Sequence, residues 1–281
     1  MDLSRLKAAW RIILENINEI VDIVIFAGQS NMSGRGNAAE ATVCDANAGF
    51  EYKAVSNPTM LVPITEPFGL NEDKAGAIDD RDSGGGTRRR GSMVSSVVNE
   101  YYHQTKRQIA AVSASIGGTS TEAWKNNYIN DAAERLDAAK AFLKKNNIRT
   151  GHIFAVWCQG ETDGSAGVSA QTYTKNTLEL FDKLKKHGVE KCFLVQIGHY
   201  NYINYPDSGT DITAEEYDKR YSVIRNAQTE LCRSNDDFIL AGSFEGHLKN
   251  MIDEYHYNQA AYNEVGKNVG KIMADYIKKN K

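Results

Sequence analysis

The stretch VDIVIFAGQSNMSGRG, residues 21–36, places a serine just after a short apolar run. The run ends at Ala27, Gly28 follows, and Ser30 stands among small polar residues. A strand-to-helix turn requires only a glycine and one capping residue, so this turn carries more polar side chains than it needs. Ser30 is therefore a candidate nucleophile, with an ordinary role in the turn as the alternative.

A base and an acid for such a nucleophile stand near the end of the sequence. A serine hydrolase needs an imidazole to accept the serine proton and a carboxylate to orient that imidazole. In the segment DEYHYN, His256 meets the first need, and Asp253 lies within one turn before it. The order Ser, Asp, His is one that hydrolases use. An Asp-x-x-His spacing is common by chance. It supports a catalytic role here only because it lies just ahead of the last predicted helix.

Donors for a developing oxyanion also follow predicted strands. The Ser30 N–H lies at the start of a predicted helix, where backbone donors have no partner within the helix. Gly118 follows a second apolar run, and a glycine there lets the backbone approach a ligand closely. Gln159 follows a third run and carries a side-chain amide. Paired glycines and a lone glutamine are ordinary loop residues, but all three at strand ends favour an oxyanion hole.

The elements that must position these residues alternate along the chain. Predicted strands are Val21–Ala27, Ile109–Ser115, His152–Cys158, Lys191–Ile197 and Phe238–Ala241. Predicted helices are Ser92–Lys106, Asp131–Asn147, Ala170–His187, Ala214–Ser234 and Asn258–Lys279. The alternation predicts an α/β fold, a three-layer α/β/α sandwich around a mostly parallel five-stranded sheet of flavodoxin-like type. Function in such a sheet collects at the carboxyl ends of the strands.

The chain is predicted to be one domain over residues 1–281, with an amphipathic helix in residues 1–20 packed on it. The proline-containing region Ala41–Thr87 is expected to be irregular and to form walls of the site. The run Arg88–Arg90, set in a glycine-rich loop directly after this region, is expected to be a solvated loop tip, with contact to an anion or substrate as the alternative.

Bulk properties exclude several classes of function. A net charge of −3 gives no electrostatic reason to expect a nucleic-acid partner. No apolar run approaches the ~20 residues that span a bilayer, so no membrane partner is expected. Charges at Arg11, Glu15 and Glu19 interrupt any signal-peptide core, which favours a cytoplasmic location, with secretion after removal of a signal as the alternative. The four cysteines fit no paired metal spacing, and neither a metal nor a cofactor is expected.

Four segments together resemble one known family. GQSNMSG, GGTSTEAW, WCQGETDG and DEYHYN are similar in type and order to motifs of the SGNH-type hydrolases, in the branch of acetylxylan esterases and sialate O-acetylesterase-like proteins. The resemblance extends from Val21 to Lys281. The GxSxG elbow of the larger lipase fold is absent, because Met32 occupies the second glycine position.

The resemblance implies a role for each motif. Ser30 would be the nucleophile, His256 the base and Asp253 the orienting acid. The N–H groups of Ser30 and Gly118 and the Gln159 side chain would form the oxyanion hole, although the broader superfamily has an asparagine at the glutamine position. Supporting roles around these residues fall to Gln29, Asn31 and Glu161.

The expected substrate is an acetylated carbohydrate. Aromatic side chains near predicted strand ends, Trp124, Tyr200 and Tyr202, are candidates for stacking on a sugar ring, with tyrosines covering a domain edge as the alternative. The predicted activity is a metal-independent serine esterase that removes acetyl groups through an acyl-enzyme. The alternative is a catalytically silent carbohydrate-binding or regulatory module on the same fold.

Overall fold

Seven strands form one sheet in the described part of the chain. The computed structural model describes residues 13, 15–73, 87–207, 209 and 211–280. The strands are β1 (Ile20–Gly28), β2 (Gly49–Tyr52), β3 (Leu61–Pro63), β4 (Gln108–Ser113), β5 (Arg149–Cys158), β6 (Lys191–Gln196) and β7 (Phe238–Ser243). Their order is β3-β2-β4-β1-β5-β6-β7, and all neighbours are parallel except β2 and β3. The strand order reverses around β1, so the segments after β1, β4 and β5 meet at one crevice.

The predicted strand count was wrong, although the α/β class is confirmed. The two additional strands, β2 and β3, lie inside the region Ala41–Thr87 that was expected to be irregular. They have only 4 and 3 residues, too few to show a periodic pattern. Pro63 ends β3 at the sheet edge, where a residue without an N–H donor is tolerated.

The helices agree closely with the predicted segments. They are α1 (Ser30–Ser33), α2 (Val94–Thr105), α3 (Ile129–Lys145), α4 (Glu161–Ser165), α5 (Ala170–Lys186), α6 (Ala214–Ser234) and α7 (Gln259–Lys279). Asn258 caps α7, since its side chain accepts a hydrogen bond from the Ala261 N–H. Helix α3 begins before the predicted cap Asp131, because the π-helical turn Trp124–Tyr128 runs directly into it.

The side chains of β1 show how the helical layers are divided. Ile23 and Ile25 belong to one buried apolar cluster, which includes residues of α3 and α5. Val24 and Phe26, which point the opposite way, belong to a second cluster with residues of α2 and α7. Both faces of the sheet are therefore covered by helices, and the predicted three-layer sandwich is confirmed.

The predicted helix of residues 1–20 lies largely outside the described residues. Of that segment, Ile13 is buried in the core and Ile17 packs against it. The prediction of a single domain over residues 1–281 stays a prediction. None of the described helices combines the length and apolar character needed to cross a membrane.

Gly28 allows β1 to end directly against β5. Its φ is +140°, a backbone conformation that side chains disfavour. A Cβ at this position would lie 2.0 Å from the Cys158 carbonyl oxygen. That same oxygen accepts a hydrogen bond from the Gln29 N–H at 2.9 Å. The glycine therefore sets the path of the backbone immediately before Ser30.

We expect Gly28→Ala to lower the free energy of unfolding by about 2 kcal/mol or more, because the new Cβ must displace the end of β1. Urea denaturation compares it with Gly246→Ala, a site where a Cβ has no neighbour within 4 Å. Equal denaturation midpoints for the two variants would contradict this account of the turn.

Candidate active site

A chain of two hydrogen bonds joins Ser30, His256 and Asp253. The Ser30 Oγ lies 2.8 Å from His256 Nε2, although the two residues are 226 positions apart. His256 Nδ1 lies 2.8 Å from Asp253 Oδ2. Helix α1 presents Ser30 after β1, and the loop before α7 presents the other two residues. The structure thus brings together the three side chains that the sequence singled out.

Asp253 is held as a carboxylate. Burial alone raises the pKa of Asp253, but the hydrogen bond to His256, its positive charge and two backbone donors outweigh that effect, and the net pKa lies below the ordinary value. The backbone donors are the N–H groups of Tyr255 and His256, at 2.8 and 2.7 Å from Oδ1. An ionised Asp253 accepts a hydrogen bond from the Nδ1–H group of His256, which leaves the Nε2 lone pair directed at the Ser30 hydroxyl and able to accept its proton.

Two backbone donors face the same space as the Ser30 hydroxyl. The N–H groups of Ser30 and Gly118 have no hydrogen-bond acceptor among the described residues. Gly118 has a φ of +67°, which suits a glycine. Both residues line one pocket together with His256. Preorganised donors beside a nucleophile are what an oxyanion hole requires.

Gln159 does not occupy the position predicted for it. Its side chain is fully buried, and Nε2 donates to the Thr119 carbonyl oxygen at 3.0 Å and to Asp163 Oδ2 at 2.5 Å. Gln159 is not among the residues that line the pocket. The prediction of a Gln159 oxyanion donor is therefore contradicted, because both amide hydrogens are engaged in holding the neighbouring loops.

Two of the predicted stacking residues are in the core. Trp124 is 0% exposed, packs edge-on against Trp157 at 5.0 Å, and cannot contact a substrate. Tyr200 is 1% exposed and packs against Tyr217 at 4.8 Å. Tyr202 is only half-buried but does not line the pocket. The predictions for Trp124 and Tyr200 are wrong, because ring type and sequence position do not determine which way a ring points. The role of Tyr202 stays a prediction.

The pocket has a volume of about 260 Å³, and both polar and apolar groups form its wall. Its lining residues are Gln29, Ser30, Arg35, Arg88, Gly117, Gly118, Glu161, Thr162, Ser165, Tyr221, Tyr255 and His256. The sequence did not predict Arg35, Thr162, Ser165, Tyr221 or Tyr255 as lining residues. Only Tyr255 had a signal, since it lies directly before His256.

The basic run divides between the core and the pocket. Arg88 is exposed and lines the pocket, and Arg90 is exposed outside it. Arg89 is 1% exposed and donates to Asp73 Oδ1 and to the Ser115 carbonyl oxygen, each at 2.8 Å. The expectation of a solvated loop tip is therefore wrong for Arg89, which anchors the loop that leads to Gly118.

The Asn31 amide connects the segments that carry the nucleophile and the base. Its Nδ2 donates to Glu161 Oε1 at 2.5 Å and to the Tyr255 carbonyl oxygen at 3.1 Å. Its Oδ1 accepts a hydrogen bond from the Tyr262 hydroxyl at 2.6 Å. Asn31 adjoins Ser30 in sequence, and Tyr255 adjoins His256, so this amide holds the segments of Ser30 and His256 at a fixed separation.

Gln29 and Glu161 complete the support for the turn after β5. The Gln29 Oε1 accepts hydrogen bonds from the Gly160 and Thr162 N–H groups, both at 3.3 Å. Glu161 is 4% exposed, and its burial raises the pKa of the carboxyl group above its ordinary value, although the Asn31 hydrogen bond opposes this. These contacts join the segments after β1 and β5, and the supporting roles of Gln29, Asn31 and Glu161 stay predictions.

Comparison with known proteins identifies the family. Residues 20–275 match the family model described as carbohydrate esterase, sialic acid-specific acetylesterase. The chain belongs to this family of carbohydrate esterases. The resemblance to SGNH-type acetylesterases and the predicted carbohydrate acetylesterase activity are thereby confirmed. None of the curated proteins compared with the chain by sequence matches it significantly.

Solved structures share the fold of this carbohydrate esterase at low identity. A protein from Arabidopsis thaliana is 18% identical, with a TM-score of 0.65 over 90% of this chain and 98% of its own. NanS is 12% identical, with a TM-score of 0.61 over 94% and 99% of the two chains. A carbohydrate acetylesterase from Xanthomonas citri is 14% identical, with a TM-score of 0.53 over 92% of this chain and 57% of its own.

No group of three or more His, Cys, Asp or Glu residues in the described ranges of this carbohydrate esterase has the arrangement of a metal site. The polar groups that surround Ser30 instead bind one another or line the pocket.

We expect Tyr262→Phe to lower kcat about three- to tenfold while KM changes less than twofold. The substitution removes the hydroxyl that orients the Asn31 amide but leaves the ring in place. A less well oriented Asn31 would hold Ser30 and His256 less accurately relative to each other. Steady-state kinetics on an acetyl ester measure both constants. The matched control is Tyr276→Phe, on the same helix but packed against Phe154 and Phe193. Identical kinetics for the two variants would remove Tyr262 as a positioning residue.

Proposed function

We propose that Ser30, His256 and Asp253 act as a catalytic triad that removes acetyl groups from a carbohydrate through an acyl-enzyme. The observation that carries this proposal is the pair of 2.8 Å hydrogen bonds through His256, next to two free backbone donors. A catalytically silent module, which is the alternative, would not require Ser30, His256 and Asp253 to be joined by hydrogen bonds. Membership of the carbohydrate esterase family supports ester hydrolysis rather than a silent role.

The first half-reaction forms the acyl-enzyme. The Ser30 Oγ attacks the acetyl carbonyl carbon while His256 Nε2 takes the hydroxyl proton. The carbonyl oxygen becomes an oxyanion and receives hydrogen bonds from the Ser30 and Gly118 N–H groups. Collapse of the tetrahedral intermediate breaks the bond to the sugar oxygen, which takes the proton from His256. Asp253 stabilises the imidazolium while it exists.

The second half-reaction returns the enzyme to its starting state. Water gives one proton to His256 and attacks the acetyl carbon bound to Ser30. The second tetrahedral intermediate then expels the Ser30 oxygen, which regains its proton from His256, and acetate leaves. The pocket of about 260 Å³ suits an acetyl group with part of a sugar ring better than a long acyl chain.

We extend the proposal to an acidic sugar. Two guanidinium groups, those of Arg35 and Arg88, line the pocket that contains Ser30. Arginine is well suited to bind a carboxylate through paired N–H donors. The family is described as specific for sialic acid, a sugar with a carboxylate. An O-acetylated sialic acid is therefore the substrate that we propose first.

We expect Ser30→Ala to lower kcat on a simple acetyl ester by a factor of about 10⁴ or more, because the nucleophile is lost. The control is Ser33→Ala, which removes a hydroxyl from the same short helix but does not alter the pocket lining. Acetate release measures turnover, and an organophosphate followed by mass spectrometry locates the reactive serine. A Ser30→Ala protein that keeps most of its rate, or a label elsewhere, would overturn the proposed nucleophile.

We expect Arg88→Gln to raise the KM for O-acetylated sialic acid about tenfold at low salt while that for glyceryl triacetate, a neutral ester, stays unchanged. The difference should shrink as salt is added, because the side chain is exposed. Arg90→Gln, which removes an exposed arginine outside the pocket, is the matched control. Equal KM values for Arg88→Gln and the unaltered enzyme on the acidic sugar would exclude Arg88 as a contact.

A further inference from the structure

Tyr255 is an aromatic ring of the pocket wall that no predicted role accounts for. It is half-buried, adjoins His256 in sequence and lines the pocket with it. Part of the ring packs against a buried cluster of the fold, with the Tyr200 centroid 5.8 Å away. The remaining exposed part of Tyr255 belongs to the surface that a substrate bound to Ser30 would meet.

The Tyr255 phenol is uncharged at any ordinary assay pH. Burial chiefly raises the pKa of Tyr255 to about 12, and the nearby Glu254 carboxylate acts in the same direction. An uncharged aromatic face is a suitable surface for the C–H groups of a sugar ring.

The backbone of Tyr255 is held at both ends by residues of the active site. Its N–H donates to Asp253 Oδ1 at 2.8 Å, and its carbonyl oxygen accepts from Asn31 Nδ2 at 3.1 Å. With the backbone held and the ring packed against Tyr200, the Tyr255 side chain has a set position relative to Ser30, which adjoins Asn31. A ring so positioned costs little additional ordering when a ligand binds.

Hydroxyl groups on the same wall indicate a ligand with hydroxyls of its own. Ser165 Oγ and Tyr221 OH lie 2.8 Å apart, and both residues line the pocket. Whichever hydroxyl donates, the half-buried Ser165 keeps either its O–H donor or a lone pair for a ligand. An aromatic face beside such a group fits a sugar ring better than a purely apolar ligand.

We propose that the exposed face of Tyr255 is the platform on which the sugar ring of the ester substrate stacks, with Ser165 beside it for a sugar hydroxyl. This inference rests on the proposed function, because it takes Ser30 as the point of attack. The platform differs from all three aromatic residues that the sequence suggested. Two of those are instead buried, and one of them, Tyr200, packs against the platform ring.

The test compares two variants on two substrates. Tyr255→Leu removes the aromatic face and keeps an apolar side chain, whereas Tyr255→Phe keeps the face. The substrates are an acetylated methyl pyranoside, which has a sugar ring, and glyceryl triacetate, which has none. We expect Tyr255→Leu to raise the KM for the pyranoside about tenfold, with less than a twofold change in kcat/KM for glyceryl triacetate. Tyr255→Phe should match the unaltered enzyme on both.

Three outcomes would overturn the platform. They are an unchanged KM for the pyranoside in Tyr255→Leu, an equal loss on both substrates, and a selective loss in Tyr255→Phe as large as in Tyr255→Leu. Thermal unfolding of each variant shows whether an equal loss comes from misfolding, and in that case Tyr255→Met replaces Tyr255→Leu under the same criteria. Organophosphate labelling of Ser30 in the same proteins separates the two proposals, because it tests the nucleophile without a sugar ring.

Discussion

The hydrogen bonds of the Asn31 side chain are the constraint on which the site depends. This amide lies next to Ser30 and donates both to Glu161, after β5, and to the Tyr255 carbonyl oxygen, before His256. Three segments that are remote in sequence therefore share one anchor. Because Asn31 is fully buried, water does not compete for its donors, and loss of any partner would leave a buried polar group unsatisfied. The serine–histidine distance and the shape of the pocket wall both follow from this arrangement.

The residues that sequence reasoning misplaced share a physical cause. The crevice edge is a buried polar network, and residue type alone does not tell whether a side chain joins that network or faces the pocket. Gln159 follows β5 as expected but turns inward, where Asp163 and the Thr119 carbonyl oxygen are its partners. Trp124 was placed near the site correctly in sequence, yet its ring fills the core. Tyr255 lies beside the predicted base in sequence, but only the packing of its ring against Tyr200 shows that it also lines the pocket.

The layers of the fold were predictable because they depend on long periodic segments. Helix α6 was predicted with the bounds Ala214–Ser234 that the structure has, and α7 differs by one residue at its start. The central strands are apolar because both sheet faces are covered. By contrast, β2 and β3 have too few residues for a pattern, and their pairing is decided by tertiary contact with β4 and with each other. Sequence periodicity therefore does not predict short strands at the edge of a sheet.

The 226-residue separation between Ser30 and His256 has a consequence for how the enzyme comes into being. A ribosome completes the first strand, and the serine after it, long before it adds the histidine. Domains fold as units, and here Ser30 and His256 lie beside the first strand and the last helix of the described chain. In the proposed mechanism, Ser30 therefore has no base until the segment that carries His256 has been made and has folded. A chain truncated before His256 would keep the proposed nucleophile and lack the proposed base.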